Sequence, residues 1–182
     1  MIEITEGYSI FIDRDGVINK RIVGDYVKSV DEFEFLPGVL EAFAVLSKLF
    51  SRIFVVTNQQ GIGKGLMTIE QLNDIHNFMT DSIVENGGRI DKIYFCPELK
   101  TSNSVMRKPS VGMALEARSD FPDVVFTKSI MVGDMCSDML FGYRLGMLTA
   151  YVGNQSKTTE CDIFINYKFS DLLAFAKQIK KQ

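Results

Sequence analysis

Histidine is almost absent from the 182-residue sequence, which contains only His76. Metal sites built mainly from histidine are therefore excluded, and a Ser-His-Asp triad would depend entirely on this one residue. His76 lies in the segment IEQLNDIHNFMTDSIV, whose pattern is typical of an amphipathic helix. We expect it to be a packed or surface residue rather than a catalyst.

Cysteine is also scarce. Cys96, Cys136 and Cys161 are odd in number and widely spaced, which does not indicate a disulfide framework, and we expect three free thiols. No apolar run approaches the roughly 20 residues that a membrane helix needs. The N-terminus carries acids where a signal peptide carries bases. These features predict a cytoplasmic protein that has no membrane partner.

An excess of positive charge is missing too. The net charge of −3 argues against a nucleic-acid partner, because nucleic-acid-binding proteins favour basic faces. The hydrophobic content of 46% is enough for the core of one compact domain, which we expect to span residues 1–182. The oligomeric state is left open by the sequence.

Apolar strands alternate with helices along the chain. The predicted strands cover 8–13, 52–57, 91–96, 129–133, 148–152 and 162–165. The predicted helices run from 37 to about 50, from Thr68 with a capping box at Gln71 to Gly87, onward from Ser110, over 136–145 and over 170–180. Continuous apolar strands separated by helices predict a three-layer, doubly wound parallel sheet. Ligands of such sheets bind beyond the carboxyl ends of the strands.

Polar residues follow four of these strands. The strand ends carry, in chain order, Asp13 and Asp15, then Thr57, then Lys108, and then Asp134 with Asp138. Any one of them alone could be a cap, a turn residue or a surface charge. Converging carboxylates repel one another unless a cation lies among them, and ligand sets made only of oxygen favour Mg²⁺. Together the residues indicate a functional site at one edge of the sheet.

Four segments also match a known pattern. FIDRDGVIN (11–19), VVTNQQGIGKG (55–65), RKPSVGM (107–113) and MVGDMCSDM (131–139) resemble the four motifs of the haloacid-dehalogenase-like phosphatases. The second motif and DEFEFLPGV (31–39) are similar to those of the histidinol-phosphatase-like subfamily, which includes heptose-bisphosphate phosphatases. The resemblance covers residues 8–153. It implies a Mg²⁺-dependent phosphomonoester hydrolase that works through an aspartyl-phosphate and has no large cap domain.

The resemblance implies catalytic and metal-binding roles for three aspartates. Asp13 would be the nucleophile and a metal ligand. Asp15 would be the general acid and base, and would bind the metal through its backbone carbonyl. Asp134 would be the third protein ligand of Mg²⁺.

The resemblance also implies which residues bind the substrate. Thr57 and Asn58 would hold the transferred phosphoryl group, and Lys108 would neutralise both Asp13 and the phosphate. Arg107 would contact the rest of the substrate, and Asp138 would support the site from outside the ligand shell.

Two departures from the subfamily pattern affect the expectations. Many members carry a zinc loop between the second and third motifs, but the segment CPELKTSNSVMRKP offers only Cys96, so we expect no structural zinc. Met135 stands where heptose enzymes often have a lysine or another polar residue.

The expected substrate is a small phosphorylated sugar, with the C7 phosphate of D-glycero-D-manno-heptose 1,7-bisphosphate as the first choice. Histidinol phosphate or another small metabolite is the alternative. A polynucleotide end phosphatase and a catalytically inactive binding protein are weaker alternatives.

Overall fold

The structure is a computed structural model that describes residues 1–153 and 161–182. Within these ranges the strands are β1 (Ile2–Ile4), β2 (Ser9–Ile12), β3 (Arg52–Asn58), β4 (Lys92–Cys96), β5 (Ser129–Gly133), β6 (Leu148–Val152), β7 (Tyr167–Phe169) and β8 (Ile179–Lys181). The helices are α1 (Val39–Leu49), α2 (Gln60–Gly63), α3 (Ile69–Glu85), α4 (Gly112–Asp120), α5 (Cys136–Arg144) and α6 (Leu172–Ala176). None of these helices combines the length and hydrophobicity of a membrane span.

The main sheet has the order β4-β3-β2-β5-β6-β7, and all of its strand pairs are parallel. From the central strand β2, the chain adds β3 and β4 on one side and then returns to place β5 on the other. This reversal of direction beside β2 is the topological switch point at which α/β sheets bind ligands. Residues that follow β2 and β5 therefore lie at the crevice.

Both faces of the sheet are buried, as the apolar strands predict. Ile10 and Ile12 pack in a core that includes side chains of α1, α3 and α6, whereas Phe11 between them packs in a second core with side chains of α4 and α5. Alternate residues of a strand point to opposite faces, so this division places helices on both sides of the sheet. The predicted three-layer α/β architecture is confirmed.

Two local predictions, the capping box of α3 and the bounds of β5, are confirmed. The Thr68 hydroxyl accepts a hydrogen bond from the Gln71 backbone N–H at 3.2 Å, and the Gln71 side chain accepts one from the Thr68 N–H at 2.8 Å. This reciprocal pair is the predicted capping box. The strand predicted over 129–133 coincides with β5.

The C-terminal predictions are wrong. Residues 162–165 contain a 3₁₀ turn (Asp162–Phe164), and the strand at this point of the chain is β7. The helix predicted over 170–180 stops at Ala176, and Ile179–Lys181 form β8, which pairs in parallel with β1 at the opposite end of the chain. Strand pairing over such a sequence distance leaves no local signal, so β1 was not predicted either.

The expectation of three free thiols is also wrong. Cys136, the first residue of α5, is disulfide-bonded to Cys161, with a Cα–Cα distance of 5.5 Å. The sequence does not indicate this disulfide, because the two cysteines are 25 residues apart and only the fold brings the start of α5 beside Cys161. Cys96 is a buried free thiol.

Candidate active site

The predicted site residues converge on one cavity of about 400 Å³ at the carboxyl edge of the sheet. Seven of the eight line it, namely Asp13, Asp15, Thr57, Asn58, Arg107, Lys108 and Asp138. Asp134 does not line the cavity, and its carboxylate is bonded to Arg21 instead. Residues at the ends of β2, β3 and β5 and residues of the loop after β4 thus meet in one place.

A tight turn after β2 brings the first motif against the fourth. The Ile18 N–H donates to the Arg14 carbonyl at 2.8 Å, and the Gly16 N–H donates to the Asn19 carbonyl at 2.7 Å. Gly16 has a φ of +96°, and a Cβ at this position would collide with the carboxylate of Asp134. Glycine is therefore required both for the turn and for the close approach of the two motifs.

Lys108 connects two buried carboxylates. Its Nζ lies 2.8 Å from Asp13 Oδ1 and 2.7 Å from Asp138 Oδ1, and it donates to the Val56 carbonyl at 2.7 Å. Asp138 is fixed in turn, because its Oδ2 accepts a hydrogen bond from the Met135 N–H at 3.0 Å. Burial alone would lower the pKa of Lys108, but Asp13 and Asp138 raise it above its usual value. Lys108 is therefore a fixed cation at the base of the cavity.

Asn58 holds the backbone of Lys108 in place. Its Nδ2 donates to the Lys108 carbonyl at 3.1 Å, and its Oδ1 accepts from the Lys108 N–H at 3.0 Å. The peptide bond between Lys108 and Pro109 is cis. The side-chain amide of Asn58 is thus engaged with the third motif, so in this structure it positions Lys108.

The Asp15 carboxylate accepts three hydrogen bonds. Arg14 Nη2 and Asn19 Nδ2 each donate to Oδ1 at 2.9 Å, and Gln59 Nε2 donates to Oδ2 at 2.7 Å. Gln59 Nε2 also lies 2.8 Å from Thr57 Oγ1. Burial would raise the pKa of Asp15, but the Arg14 charge and these hydrogen bonds hold it below its usual value. Asp15 is ionised in this arrangement.

Arg14 and His76 form a buried pair behind Asp15. Arg14 is fully buried, and its Nη1 lies 3.3 Å from His76 Nε2. Burial and the Arg14 charge lower the pKa of His76 to about 3, so the imidazole is neutral and can accept a hydrogen bond from the guanidinium. The expectation that His76 is packed is confirmed, and its contact is with the residue that orients Asp15.

Three carboxylates crowd together beside the cavity. Asp13, Asp134 and Asp138 each offer an oxygen, and these atoms all lie within 4.8 Å of one another. Burial raises the pKa of Asp13 to about 7, although Lys108 opposes the shift, and burial raises that of Asp134 to about 6, although Arg21 opposes it. The carboxylates therefore need more positive charge than Lys108 and Arg21 supply. A donor set of oxygens alone, in need of a cation, fits Mg²⁺.

Arg21 was not predicted, yet it bridges the first and fourth motifs. Its Nη2 lies 2.8 Å from Asp134 Oδ1, 2.5 Å from the Asp15 carbonyl oxygen and 3.8 Å from Asp13 Oδ2. These contacts are with the three residues whose oxygens the resemblance assigns to the metal. A loop arginine two residues beyond Asn19 resembles any solvated charge, so the sequence carried no signal for this contact.

Arg14 and Gln59 were also missed, although both lie inside the motifs. Arg14 stands between the two aspartates of the first motif, and Gln59 follows Asn58 in the second. A charged residue next to two carboxylates at the end of a buried strand was the available signal for Arg14. Its complete burial and its contact with His76 depend on the packing of α3 and could not be predicted.

Comparison with known proteins gives consistent matches. A family model described as Polynucleotide kinase 3 phosphatase matches residues 10–180. A D-glycero-alpha-D-manno-heptose-1,7-bisphosphate 7-phosphatase of Mycobacterium tuberculosis is 40% identical over 138 residues, or 76% of this chain and 73% of the relative. A D-glycero-beta-D-manno-heptose-1,7-bisphosphate 7-phosphatase of Escherichia coli is 34% identical over 184 residues, or 96% of this chain and 94% of the relative.

A solved structure agrees with these relatives. The crystal structure of a D,D-heptose 1,7-bisphosphate phosphatase from B. bronchiseptica, complexed with magnesium and phosphate, has a TM-score of 0.82 and is 32% identical. The match covers 94% of this chain and 97% of that one. The two chains therefore share the fold over nearly their whole length. With its motifs gathered around one cavity, the chain belongs to the haloacid-dehalogenase-like phosphatases, in the group that includes the heptose-1,7-bisphosphate 7-phosphatases.

Proposed function

We propose that the chain hydrolyses the phosphate monoester of a small phosphorylated sugar, namely the C7 phosphate of D-glycero-D-manno-heptose 1,7-bisphosphate. The observation that carries the reaction is the Asp13 carboxylate, which is buried at the cavity with Lys108 Nζ 2.8 Å from one oxygen. We assign the nucleophilic attack on phosphorus to this carboxylate. The observation that carries the substrate is the group of relatives, whose names specify this sugar.

Asp13 acts as the nucleophile in the first step. A carboxylate oxygen of Asp13 attacks phosphorus, the bond from phosphorus to the sugar oxygen breaks, and Asp15 gives a proton to the leaving alkoxide. In the second step water attacks the aspartyl-phosphate, Asp15 takes a proton from it, and phosphate leaves with Asp13 restored. Lys108 offsets the repulsion between the Asp13 carboxylate and the phosphate dianion.

Asp15 must gain a proton before it can donate one. Its contacts with Arg14, Asn19 and Gln59 favour the ionised form, which suits the second step. An arriving phosphate dianion raises the pKa of a nearby carboxyl by charge repulsion, which favours the protonated form needed for the first step. The buried Arg14 and the neutral His76 behind it keep the carboxyl oriented through both steps.

Mg²⁺ would be held by the carboxylates of Asp13 and Asp134 and by the Asp15 carbonyl. When bound, it supplies positive charge to the phosphate oxygens as the transition state forms. Asp138 supports the site by holding Lys108 at 2.7 Å. Thr57 lines the cavity, where it would bind the transferred phosphoryl group, and Asn58 would act beside it by holding the backbone of Lys108. The absence of a structural zinc stays a prediction. The cytoplasmic location also stays a prediction, and the Cys136–Cys161 disulfide argues against it, because disulfides are rare in reducing compartments.

Cations at the cavity favour a substrate with a second anionic group. Arg107 and Lys64 both line the cavity, apart from the Lys108 that holds Asp13. Arg107 is half-buried, and its Nη1 donates to the Glu98 carbonyl at 3.3 Å, which leaves the other guanidinium donors available. A guanidinium can bind a phosphate through two parallel hydrogen bonds, so Arg107 can hold the C1 phosphate while C7 reacts.

The Arg107→Ala variant tests this assignment of the substrate. We expect kcat/KM for the heptose bisphosphate to fall roughly 10- to 100-fold, as for the loss of a charged hydrogen bond, and that for a heptose 7-monophosphate to change little. Initial rates should be measured on both anomers of the bisphosphate, because the relatives differ in the anomer that they name. Histidinol phosphate and simple sugar monophosphates complete the panel.

The control is Arg118→Ala, since Arg118 packs over the ring of Phe126, away from the cavity. A flat profile across the panel that Arg107→Ala leaves unchanged would remove the heptose assignment but keep the phosphatase.

A polynucleotide substrate is the second candidate, because the matching family model is described by that activity. The net charge of −3 argues against it, since nucleic-acid sites are basic. A 3′-phosphorylated oligonucleotide therefore belongs in the same panel. Hydrolysis of the oligonucleotide with a higher kcat/KM than that of the bisphosphate would reverse the order of the two candidates.

A further inference from the structure

We propose that Arg21 is a positioning residue that occupies the Mg²⁺ position in the metal-free protein and is exchanged for Mg²⁺ when the metal binds. This inference rests on the proposed function, because it takes the Mg²⁺ ligands to be Asp13, Asp15 and Asp134. In this account, Arg21 holds the three ligand groups together before loading and leaves them afterwards.

The guanidinium of Arg21 lies among the three groups that are assigned to Mg²⁺. Arg21 Nη2 contacts the Asp134 carboxylate at 2.8 Å and the Asp15 carbonyl at 2.5 Å, and it lies 3.8 Å from Asp13 Oδ2. Mg²⁺ binds oxygen ligands at about 2.0–2.1 Å, so an ion that shares these oxygens would lie where the guanidinium nitrogen is. The two cations therefore cannot occupy the site together.

Exposure to solvent distinguishes the two cations that pair with Asp13. Lys108 is held by Asp13, Asp138 and the Val56 carbonyl, and its side chain is only 1% exposed. The side chain of Arg21 is 39% exposed, and it lies on a loop whose neighbours Lys20 and Val23 are also exposed. Arg21 is thus the cation that can leave without disturbing the base of the cavity.

Arg21 stands between the cavity and the carboxylate of Asp134. Arg21 lines the cavity, whereas Asp134, to which it is bonded, does not. Departure of the guanidinium would expose the Asp134 carboxylate to an ion that enters from the cavity. The released side chain would remain at the cavity, because Asp25 and Tyr26 of the same loop also line it.

Exchange predicts a competition that calorimetry can measure. Mg²⁺ should be titrated into the metal-free full chain as wild type, Arg21→Met, Arg21→Lys and Lys20→Met. Met removes the competing charge and its donors, so Arg21→Met should bind Mg²⁺ roughly tenfold more tightly than wild type. Arg21→Lys should remain near wild type, because an ammonium group can take the same position as a point charge.

Lys20→Met is the matched control for the general effect of removing one positive charge near the metal ligands. Lys20 carries the same charge one residue away, but its side chain is 66% exposed and pairs with Glu34 at 3.2 Å, outside the ligand set. A general effect of charge would tighten Mg²⁺ binding equally in both Met variants. Exchange predicts tighter binding in Arg21→Met alone.

Thermal unfolding and NMR complete the test. Without metal, Arg21→Met should melt below wild type, and in saturating Mg²⁺ the two melting temperatures should converge. The Arg21 Nε–H signal, assigned by its loss in Arg21→Met, should shift when wild type is saturated with Mg²⁺. Equal or weaker Mg²⁺ binding by Arg21→Met, or an Arg21 signal that Mg²⁺ leaves unchanged, would overturn the exchange and leave the phosphatase assignment intact. Failure of wild type and all variants to bind Mg²⁺ would overturn the proposed metal site as well.

Discussion

Replacement of Asp13 with asparagine is expected to lower kcat by at least about 10³-fold, because loss of a covalent nucleophile removes the first chemical step. The fold should survive. An amide has nearly the shape of the carboxylate, and its oxygen can still accept the hydrogen bond that Lys108 donates at 2.8 Å. Steady-state rates on a phosphorylated sugar and a thermal melt of the same sample would measure both effects.

Asp123→Asn is the matched control for Asp13→Asn. Asp123 is exposed and pairs with Arg52 at 2.9 Å, at the start of β3 rather than at its carboxyl end. This variant should keep the wild-type kcat. Retention of most activity by Asp13→Asn would show that Asp13 forms no covalent intermediate and would remove the proposed mechanism.

The Lys108→Met variant is expected to lose about 3–5 kcal/mol in the free energy of unfolding when no metal is present. The change removes the cation that lies 2.8 Å from Asp13 and 2.7 Å from Asp138, and it leaves two buried carboxylates facing each other. In the wild type the pKa of Asp13 is already raised to about 7 against the opposing charge of Lys108, and loss of that charge raises it further. The deficit should therefore be largest at about pH 9 and shrink as the pH falls towards about 7, because the Asp13 carboxyl of the variant gains its proton at a higher pH than that of the wild type.

Lys177→Met separates a buried ion pair from an exposed one. Lys177 pairs with Glu41 at 3.1 Å, and both side chains are more than half exposed, at 57% and 58%. Loss of an exposed pair costs about 0–1 kcal/mol, with little dependence on pH over the same range. Denaturant unfolding of both variants in chelator would give the comparison. A Lys108→Met protein as stable as Lys177→Met would contradict the assigned role of Lys108 in holding the two carboxylates.

The central sheet was predictable because its strands are apolar on both faces and end in motif residues. The strand predicted over 129–133 coincides with β5 for this reason. The two ends of the chain were not predictable. Ile179–Lys181 follow a short helix and would continue it on local pattern alone, but they pair with Ile2–Ile4. Only the assembled fold places these segments side by side.

The site shows the same division between local and distant information. Residues that directly follow a strand, such as Asp13 and Asp134, could be identified because parallel strands end at one edge. Arg21 could not, because its position depends on a turn that requires Gly16 and on the approach of the first motif to the fourth. The contact of Arg14 with His76 depends likewise on how α3 packs against the sheet.

The most direct test of the proposed function is to identify which phosphate is released from D-glycero-D-manno-heptose 1,7-bisphosphate. The wild-type chain should be incubated with each anomer in the presence of Mg²⁺ and followed by phosphorus NMR. Our account predicts loss of the C7 phosphate signal, with the C1 phosphate intact in the product and free phosphate in equal amount. Release of the C1 phosphate, or no release from either anomer while another phosphate ester in the panel is hydrolysed, would contradict it.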